Sequence, residues 1–182
     1  MGQARVARLQ AEYEVLVEWR GLEIHPEVPP EGLQWPPHLR ARFGGMSEML
    51  REEAHKAGLP MVVPQVIPKS RRALEAAEFA REQGRHDAFH SVVWRRFYGA
   101  GQDLSSWEML RAAAGEVGLD AGMMQEKVDN GVYTAVIDTH TRELVALGAR
   151  GVPLFIFDQT YAVVGLQPFA AFQEVMEHLE SG

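Results

Sequence analysis

The sequence predicts an α/β fold in which a long helical segment interrupts a small β-sheet. Three patterns support this prediction. A short helix at the start of the chain is followed by a β-branched and aromatic run, Val15–Ile24, that is typical of a strand. Helical periodicity then dominates residues 38–150. A β-hairpin and a terminal helix close the chain from Pro153 onward.

Composition narrows the classes of function. The chain has 182 residues, enough for one domain with a substantial core, and a net charge of −7 without a block of Lys or Arg, which disfavours a nucleic-acid partner. No apolar run approaches the roughly 18 residues of a membrane span. The first residues are not followed by an apolar stretch, so we expect no signal peptide. We therefore expect a cytoplasmic protein without a membrane partner. Because the sequence has no cysteine, it contains neither a disulfide nor a thiolate nucleophile.

The first elements follow from local patterns. Val6, Leu9 and Tyr13 recur at helical spacing, so the chain is expected to begin within a helix. The strand Val15–Ile24 comes next. The stretch His25–Pro37 contains five prolines, and we expect it to lack regular structure because proline removes a backbone donor and fixes φ.

The middle of the chain is expected to be almost wholly helical. Ser105 and Glu108 have the spacing of a capping box, and Met61–Pro68 reads as an extended connector. This pattern divides the chain into a core made of residues 1–37 and 149–182 and a helical insertion made of residues 38–148. The predicted helices are Leu39–Ala57, Arg71–Gln83, His86–Tyr98, Ser106–Val117, Ala121–Asn130 and Val132–Leu147.

The most informative motif lies near the end of the chain. Gly151-Val152-Pro153 precedes an apolar strand, and after a turn and a second strand Gly165-Leu166-Gln167-Pro168 opens the last helix. A proline is tolerated at the start of a strand, where its missing N–H is not needed. Since an X-Pro bond favours the trans form by only about 0.5–1 kcal/mol, we expect Val152–Pro153 to be cis.

These motifs resemble those of the DsbA-like thioredoxin-fold proteins, in particular the FrnE-type oxidoreductases and the 2-hydroxychromene-2-carboxylate isomerases. The resemblance implies a thioredoxin-like (DsbA-type) core with an inserted all-helical subdomain. It also implies a surface that binds a protein dithiol or disulfide, or a small-molecule substrate, at Gly151, Val152, Pro153 and Gln167. The two C-terminal motifs carry most of the resemblance, and residues 17–26, Lys69–Ala80 and Arg96-Phe97-Tyr98 corroborate it.

One departure from the family pattern is large. The family places a first strand and a Cys-x-x-Cys immediately before the helix that opens this chain, and this sequence has neither. Either Met1 is an internal methionine of a longer protein, or the protein has abandoned redox chemistry. We favour the first interpretation, because selection rarely keeps a fold whose central strand is deleted. The chain as given has no catalytic nucleophile and is expected to be inactive in dithiol exchange.

Two other functions stay open. One is an isomerase that uses glutathione, and only in this case do we expect a cofactor. The resemblance implies that such an isomerase also uses a serine near the start of the first helix, but no serine lies near Met1. The other is a non-catalytic protein that binds a peptide or ligand at the Pro153 surface. A metal site is not predicted, because His86 and His90 share a helix face without a third ligand. The aromatic residues Trp94, Phe97, Tyr98 and Trp107 are interpreted first as helix-packing residues, and Asp138, His140 and Glu143 as solvated charges.

The resemblance also predicts a gap in the sheet. In the thioredoxin topology the absent strand would lie between Val15–Ile24 and the hairpin that starts at Pro153. Each buried, unpaired backbone group costs about 1–3 kcal/mol. We therefore expect the gap to be closed, either by direct pairing of Val15–Ile24 with Pro153–Phe157 or by strand swapping in a homodimer. An exposed edge is the least favoured outcome because it invites aggregation.

Overall fold

A computed structural model of the chain describes residues 2–36, 48, 51–52, 54–55, 58, 60–64, 66–149 and 151–181. These residues contain seven α-helices and four short strands, which confirms the predicted α/β fold with inserted helices. The α-helices are α1 (Gly2–Glu12), α2 (Arg71–Glu82), α3 (His86–Trp94), α4 (Trp107–Glu116), α5 (Ala121–Asp129), α6 (Thr134–Ala146) and α7 (Phe169–Glu180). The strands are β1 (Leu33–Gln34), β2 (Val66–Ile67), β3 (Leu154–Phe157) and β4 (Tyr161–Val164).

The chain divides into two compact units. The terminal unit consists of Met1–Arg20 and Arg142–Gly182, and the central unit consists of Gly21–Thr141. The junctions therefore fall at 20/21 and 141/142, whereas the sequence patterns predict them at 37/38 and 148/149.

The central unit is built on the stripe of small and aromatic residues along α2. Ala76, Phe79 and Ala80 are almost completely buried, and the alanines let neighbouring helices approach closely. Helices α3, α4 and α5 supply the other large members of this core, Phe89, Leu110 and Met124.

The helix boundaries in the central unit agree with the sequence patterns to within a few residues, with two differences. The predicted helix His86–Tyr98 changes character after Trp94, and Arg95–Gly99 forms a π-helix. The cap of α4 is Ser106 rather than Ser105, because the Ser106 hydroxyl accepts a hydrogen bond from the Met109 N–H at 3.4 Å. The Ser105 hydroxyl instead contacts Asp103. The predicted helix Leu39–Ala57 falls largely outside the described residues.

A two-stranded ladder corrects the expectation that the proline-rich stretch is irregular throughout. Strand β1 lies within that stretch and pairs antiparallel with β2, which lies in the predicted connector. Leu33 and Gln34 can pair because neither is a proline, and Gly32 turns the chain into the strand with a φ of +81°. A ladder this short gives little hydrophobic periodicity, so the sequence does not signal it.

The terminal unit contains the predicted hairpin. Strands β3 and β4 pair antiparallel, with Phe155 opposite Val163. Asp158 and Gln159 make the turn with positive φ angles of 45° and 58°. Helices α1 and α7 pack with one face of the hairpin through a core of Leu9, Val163, Phe169, Phe172 and Met176. The Val152–Pro153 peptide bond is cis.

The prediction that Val15–Ile24 forms a strand is wrong. Its β-branched residues favour an extended backbone, but a strand also needs a hydrogen-bonded neighbour, and no described strand pairs with this segment. The expected direct pairing with Pro153–Phe157 is therefore wrong as well, because β3 pairs only with β4 among the described residues. Val15 packs against the terminal core, whereas Leu16 is fully exposed.

Candidate substrate-binding site

The residues predicted to bind substrate meet at one end of the hairpin. The Gly165 N–H donates to the Pro153 carbonyl at 2.8 Å, which places Pro153 opposite the residue that follows β4. Gln167 is two residues further along, and its side-chain amide donates to the Val164 carbonyl at 3.0 Å. Pro153 and Gln167, which are distant in sequence, therefore lie at the same end of the same hairpin.

The other two predicted residues are accessible to solvent. Val152 is 57% exposed. Gly151 is partly exposed, and a Cβ added to it would meet no other atom within 4 Å. The segment leading into β3 therefore leaves space in which a ligand could lie.

The first turn of α1 completes this end of the unit, although none of its residues was among the predicted site residues. A Cβ added to Gly2 would lie 3.5 Å from the Pro153 Cβ and 3.7 Å from the Phe155 ring, so the helix begins against the proline. One turn later, the Arg5 Nε donates to the Gln167 carbonyl at 3.2 Å. Helical periodicity indicates which residues of α1 are buried, but it cannot say which loop the helix meets.

The outer edge of β3 presents unpaired backbone groups. Because Pro153 and Gly165 form a hydrogen-bonded pair, the alternation of an antiparallel ladder makes Phe155 and Val163 the next such pair. The N–H and C=O groups of Leu154 and Ile156 then point away from β4. No described strand pairs with this edge.

The hairpin face opposite the terminal core is apolar. Leu154, Ile156, Ala162 and Val164 alternate with the residues that contact α1 and α7, as the two-residue period of a strand requires. Ile156 is 40% exposed and Val164 is 60% exposed. The open edge of β3 is thus bordered by accessible hydrophobic side chains.

Charged residues are scarce at this end of the hairpin. Between Gly151 and Pro168 the only charged residue is Asp158, which lies in the turn at the opposite end. Within the first six residues of α1 the only charged side chain is that of Arg5. Arg5 is therefore the main source of local charge close to Gln167.

The residues of the site can bind a ligand but cannot perform thiol chemistry. The chain has no cysteine. In the part of the chain that the structure describes, no group of three or more His, Asp or Glu side chains is arranged to hold a metal ion. What remains at the site is an open strand edge, apolar side chains and a guanidinium group.

The paired histidines of the central unit lie in a row of stacked rings instead. The His86 and His90 rings stack with centroids 5.6 Å apart, and the Trp94 and Tyr98 rings stack at 4.8 Å. The Trp94 indole N–H donates to His90 Nε2. Burial, and then the neighbouring His86, lower the pKa of His90 to about 4. His90 is therefore neutral at neutral pH and acts as an acceptor within its own helix.

Three kinds of comparison with known proteins bear on this geometry. A family model described as "DSBA-like thioredoxin domain" matches residues 1–177 of the chain. The chain belongs to the DSBA-like thioredoxin domain family. The chain contains no cysteine.

Individual relatives agree with the family assignment. The chain is 26% identical to the uncharacterized protein YwbO of Bacillus subtilis over 169 residues, which cover 90% of this chain and 80% of YwbO. Its structure is similar to that of a probable DsbA oxidoreductase from Streptomyces coelicolor, with a TM-score of 0.85, 25% identity and coverage of 97% of this chain and 82% of that one.

A second solved structure shares the fold at lower identity. The match to 2-hydroxychromene-2-carboxylate isomerase has a TM-score of 0.78 and 20% identity, and it covers 96% of this chain and 86% of the isomerase chain. The predicted DsbA-like thioredoxin fold is confirmed. Among the described residues, no helix is both long enough and apolar enough to cross a bilayer.

Proposed function

We propose that this chain is a thiol–disulfide oxidoreductase family member of the FrnE type that carries the substrate-binding surface without the redox cysteines. As given, it binds an extended segment of a protein substrate along β3, in the position that the family resemblance assigns to the absent first strand, and does not exchange disulfides. The observation that carries this proposal is the open edge of β3 next to Pro153, where Leu154 and Ile156 direct their backbone groups away from β4.

An extended peptide can use this edge by adding a strand to the hairpin. In this mode of recognition the main chain supplies affinity through hydrogen bonds, and alternate side chains supply specificity. Leu154 and Ile156 together offer two N–H donors and two carbonyl acceptors on the same edge. A peptide paired there would also place alternate side chains beside the exposed Ile156 and the half-buried Leu154.

A pair of proline variants tests whether the edge of β3 is the binding site. Ile156→Pro removes an N–H that points away from β4, so it leaves the ladder of the hairpin intact. Ala162→Pro is the matched control, because Ala162 is opposite Ile156 and directs its N–H to the other edge. We expect Ile156→Pro to weaken binding of an acetylated apolar pentapeptide amide by more than tenfold in a calorimetric titration. Ala162→Pro should bind like the parent chain, and equal losses in both variants would contradict the proposal.

Disulfide exchange tests the second part of the proposal. Exchange requires a thiolate, and the chain supplies none. We expect the purified chain to leave the rate of insulin reduction by dithiothreitol at its uncatalysed value. Adding a segment with Cys-x-x-Cys ahead of Gly2 should confer activity, since unpaired N–H groups at the start of a helix lower a thiol pKa. Catalysis by the unmodified chain would refute this part.

The same titrations separate the alternatives. Binding of glutathione without binding of the peptide would favour the isomerase-like function. Peptide binding that survives while the Cys-x-x-Cys fusion stays inactive would favour a non-catalytic binding protein. Sedimentation of the free chain would show whether a homodimer closes the edge of β3, an arrangement that would compete with the peptide.

A further inference from the structure

Arg5 has hydrogen-bond donors that no described residue of the chain uses. Its Nε donates to the Gln167 carbonyl at 3.2 Å, and this bond fixes the orientation of the guanidinium plane. An arginine side chain has five N–H donors in a rigid fork. No carboxylate of a described residue lies within ion-pair distance of Arg5, and its two amino groups make no hydrogen bond within the described part of the chain.

Another arginine on the same helix makes the contrast clear. Arg8 pairs with Glu12 at 2.6 Å and places its guanidinium over the Phe169 ring at 3.8 Å. Arg8 therefore has a structural role that accounts for it. Arg5 makes one hydrogen bond, through its Nε. No described residue accepts a hydrogen bond from its two amino groups, and these match the two oxygens of a carboxylate in geometry.

The surroundings of Arg5 increase its electrostatic effect. The chain carries a net charge of −7, yet the segment Gly151–Phe157 and the loop Gly165–Pro168 contain no charged residue. Without a nearby carboxylate to neutralise it, the positive charge of Arg5 is presented directly to a ligand at this end of the hairpin.

We propose that Arg5 is a specificity-determining residue that selects peptides bearing a carboxylate at the end nearest Pro153. This inference rests on the proposed peptide-binding function of the β3 edge. The carboxylate would accept two parallel hydrogen bonds from the amino groups of Arg5, while the Nε stays bonded to Gln167. The carboxylate could be the C-terminus of the peptide or the side chain of an Asp or Glu.

Three peptides of one apolar sequence test the inference by calorimetry. The first is acetylated and amidated and so uncharged, the second has a free C-terminal carboxylate, and the third is amidated with one Glu. We expect the charged peptides to bind the parent chain about tenfold more tightly than the neutral one, because a bidentate ionic hydrogen bond is worth about that much. The preference should shrink in high salt.

Variants locate the source of the preference. Arg5→Gln should remove the tenfold preference, so that the three peptides bind this variant with equal affinity, and Arg5→Lys should retain part of the preference because the charge remains. Arg111→Gln is the matched control, since it removes the same charge from an exposed position on α4. A gain for only one charged peptide identifies the source of the carboxylate and still supports the inference.

Two results would overturn the inference in distinguishable ways. If the neutral and charged peptides bind the parent chain equally, or if Arg5→Gln keeps the preference, Arg5 does not select the ligand and the proposed peptide site stands. If none of the three peptides binds the parent chain, the proposed function and the inference both fail.

Discussion

The two units of the molecule bury their hydrophobic residues to different extents. Among the described residues, the central unit packs a core of fifteen buried residues, drawn from several helices. The described part of the terminal unit has a core cluster of five buried residues beneath one face of a two-stranded hairpin. Regions with few buried contacts and exposed backbone groups are those that proteins use for binding. The proposed binding surface therefore lies in the unit with the smaller buried core.

The units also differ in whether they bury charged side chains. In the described part of the central unit three carboxylates are buried, those of Glu23, Glu75 and Glu78. Arg71 pairs with Glu23 at 2.9 Å and with Glu75 at 3.0 Å, and Arg81 pairs with Glu78 at 2.9 Å. Among the described residues of the terminal unit no charged side chain is buried. Buried charges need partners, so the central unit is the more constrained of the two.

The largest expected effect comes from the same substitution in both cores. Phe79 and Phe172 are each almost fully buried, and replacing either with Ala should lower stability by about 3–5 kcal/mol through lost transfer energy and a residual cavity. We expect Phe79→Ala to raise hydrogen exchange throughout α2–α5, whereas Phe172→Ala should raise it mainly in the hairpin and α7. Native-state exchange measured by NMR distinguishes the two patterns.

The opposite pattern would break the comparison between the units. If Phe172→Ala exposed the amides of α2–α5 as much as those of the hairpin, the small core would not behave as a separate, less stable region. Phe79→Leu and Phe172→Leu serve as controls, since each removes less volume and should shift exchange in the same direction by a smaller amount.

The network around Arg71 is the next test. Besides Glu23 and Glu75, Arg71 contacts Asp138 on α6. Arg71→Met would leave the buried carboxylates without their shared partner and should cost roughly 3 kcal/mol, measured by urea unfolding. Arg95→Met is the control, because the Arg95–Glu116 pair is exposed and should contribute at most about 1 kcal/mol. Equal losses would show that the central unit does not depend on its buried charges.

Local patterns in the sequence predicted the helices and the hairpin but not this network. The stripe along α2 and the turn at Asp158 depend on neighbours in sequence, so periodicity and turn chemistry indicate them. The pairing of Arg71 with Glu23 joins residues 48 positions apart. No local pattern encodes such a contact. Asp138, which the sequence indicated as a solvated charge, is 52% exposed and also pairs with Arg71.

The candidate site likewise contains residues that were predicted and residues that were not. Pro153 and Gln167 were expected at the site because the local motifs that contain them resemble those of a known family. Gly2 and Arg5 were missed, since they enter the site through the packing of α1 against the hairpin. The strand predicted at Val15–Ile24 failed for a related reason. Strand propensity describes one chain segment, but a strand exists only with a partner.

The pH dependence of the central unit should follow His90. Its pKa is about 4 in the folded chain, mainly because of burial, and near 6.5 when unfolded. The unfolded state therefore binds the extra proton between these values, so stability is full above about pH 6.5 and falls as the pH drops toward 4. The expected loss is about 3 kcal/mol by pH 4, because each pKa unit corresponds to about 1.4 kcal/mol. In His90→Phe the fall should be smaller when urea unfolding is measured at pH 7 and 4.5, and an unchanged slope would assign it to other groups.

Helix capping gives the smallest expected effect and again separates the units. In the central unit, Asp120 caps α5 and accepts hydrogen bonds from the Gly122 and Met123 N–H groups, each at 2.9 Å. In the terminal unit, α7 begins after Pro168, whose side chain cannot cap. Asp120→Ala should therefore cost about 1 kcal/mol.

A carboxylate at position 168 should stabilise α7 by a similar amount. Replacing the proline also frees the unfolded chain, which lowers stability by about 0.4–1 kcal/mol whatever residue is introduced. The informative quantity is therefore the difference between Pro168→Asp and Pro168→Ala, which we expect to be about 1 kcal/mol in favour of Asp. Thermal unfolding of both variants measures this difference. If this difference were zero, other groups would already accept hydrogen bonds from the first N–H groups of α7. The terminal unit would then not differ from the central unit in helix capping.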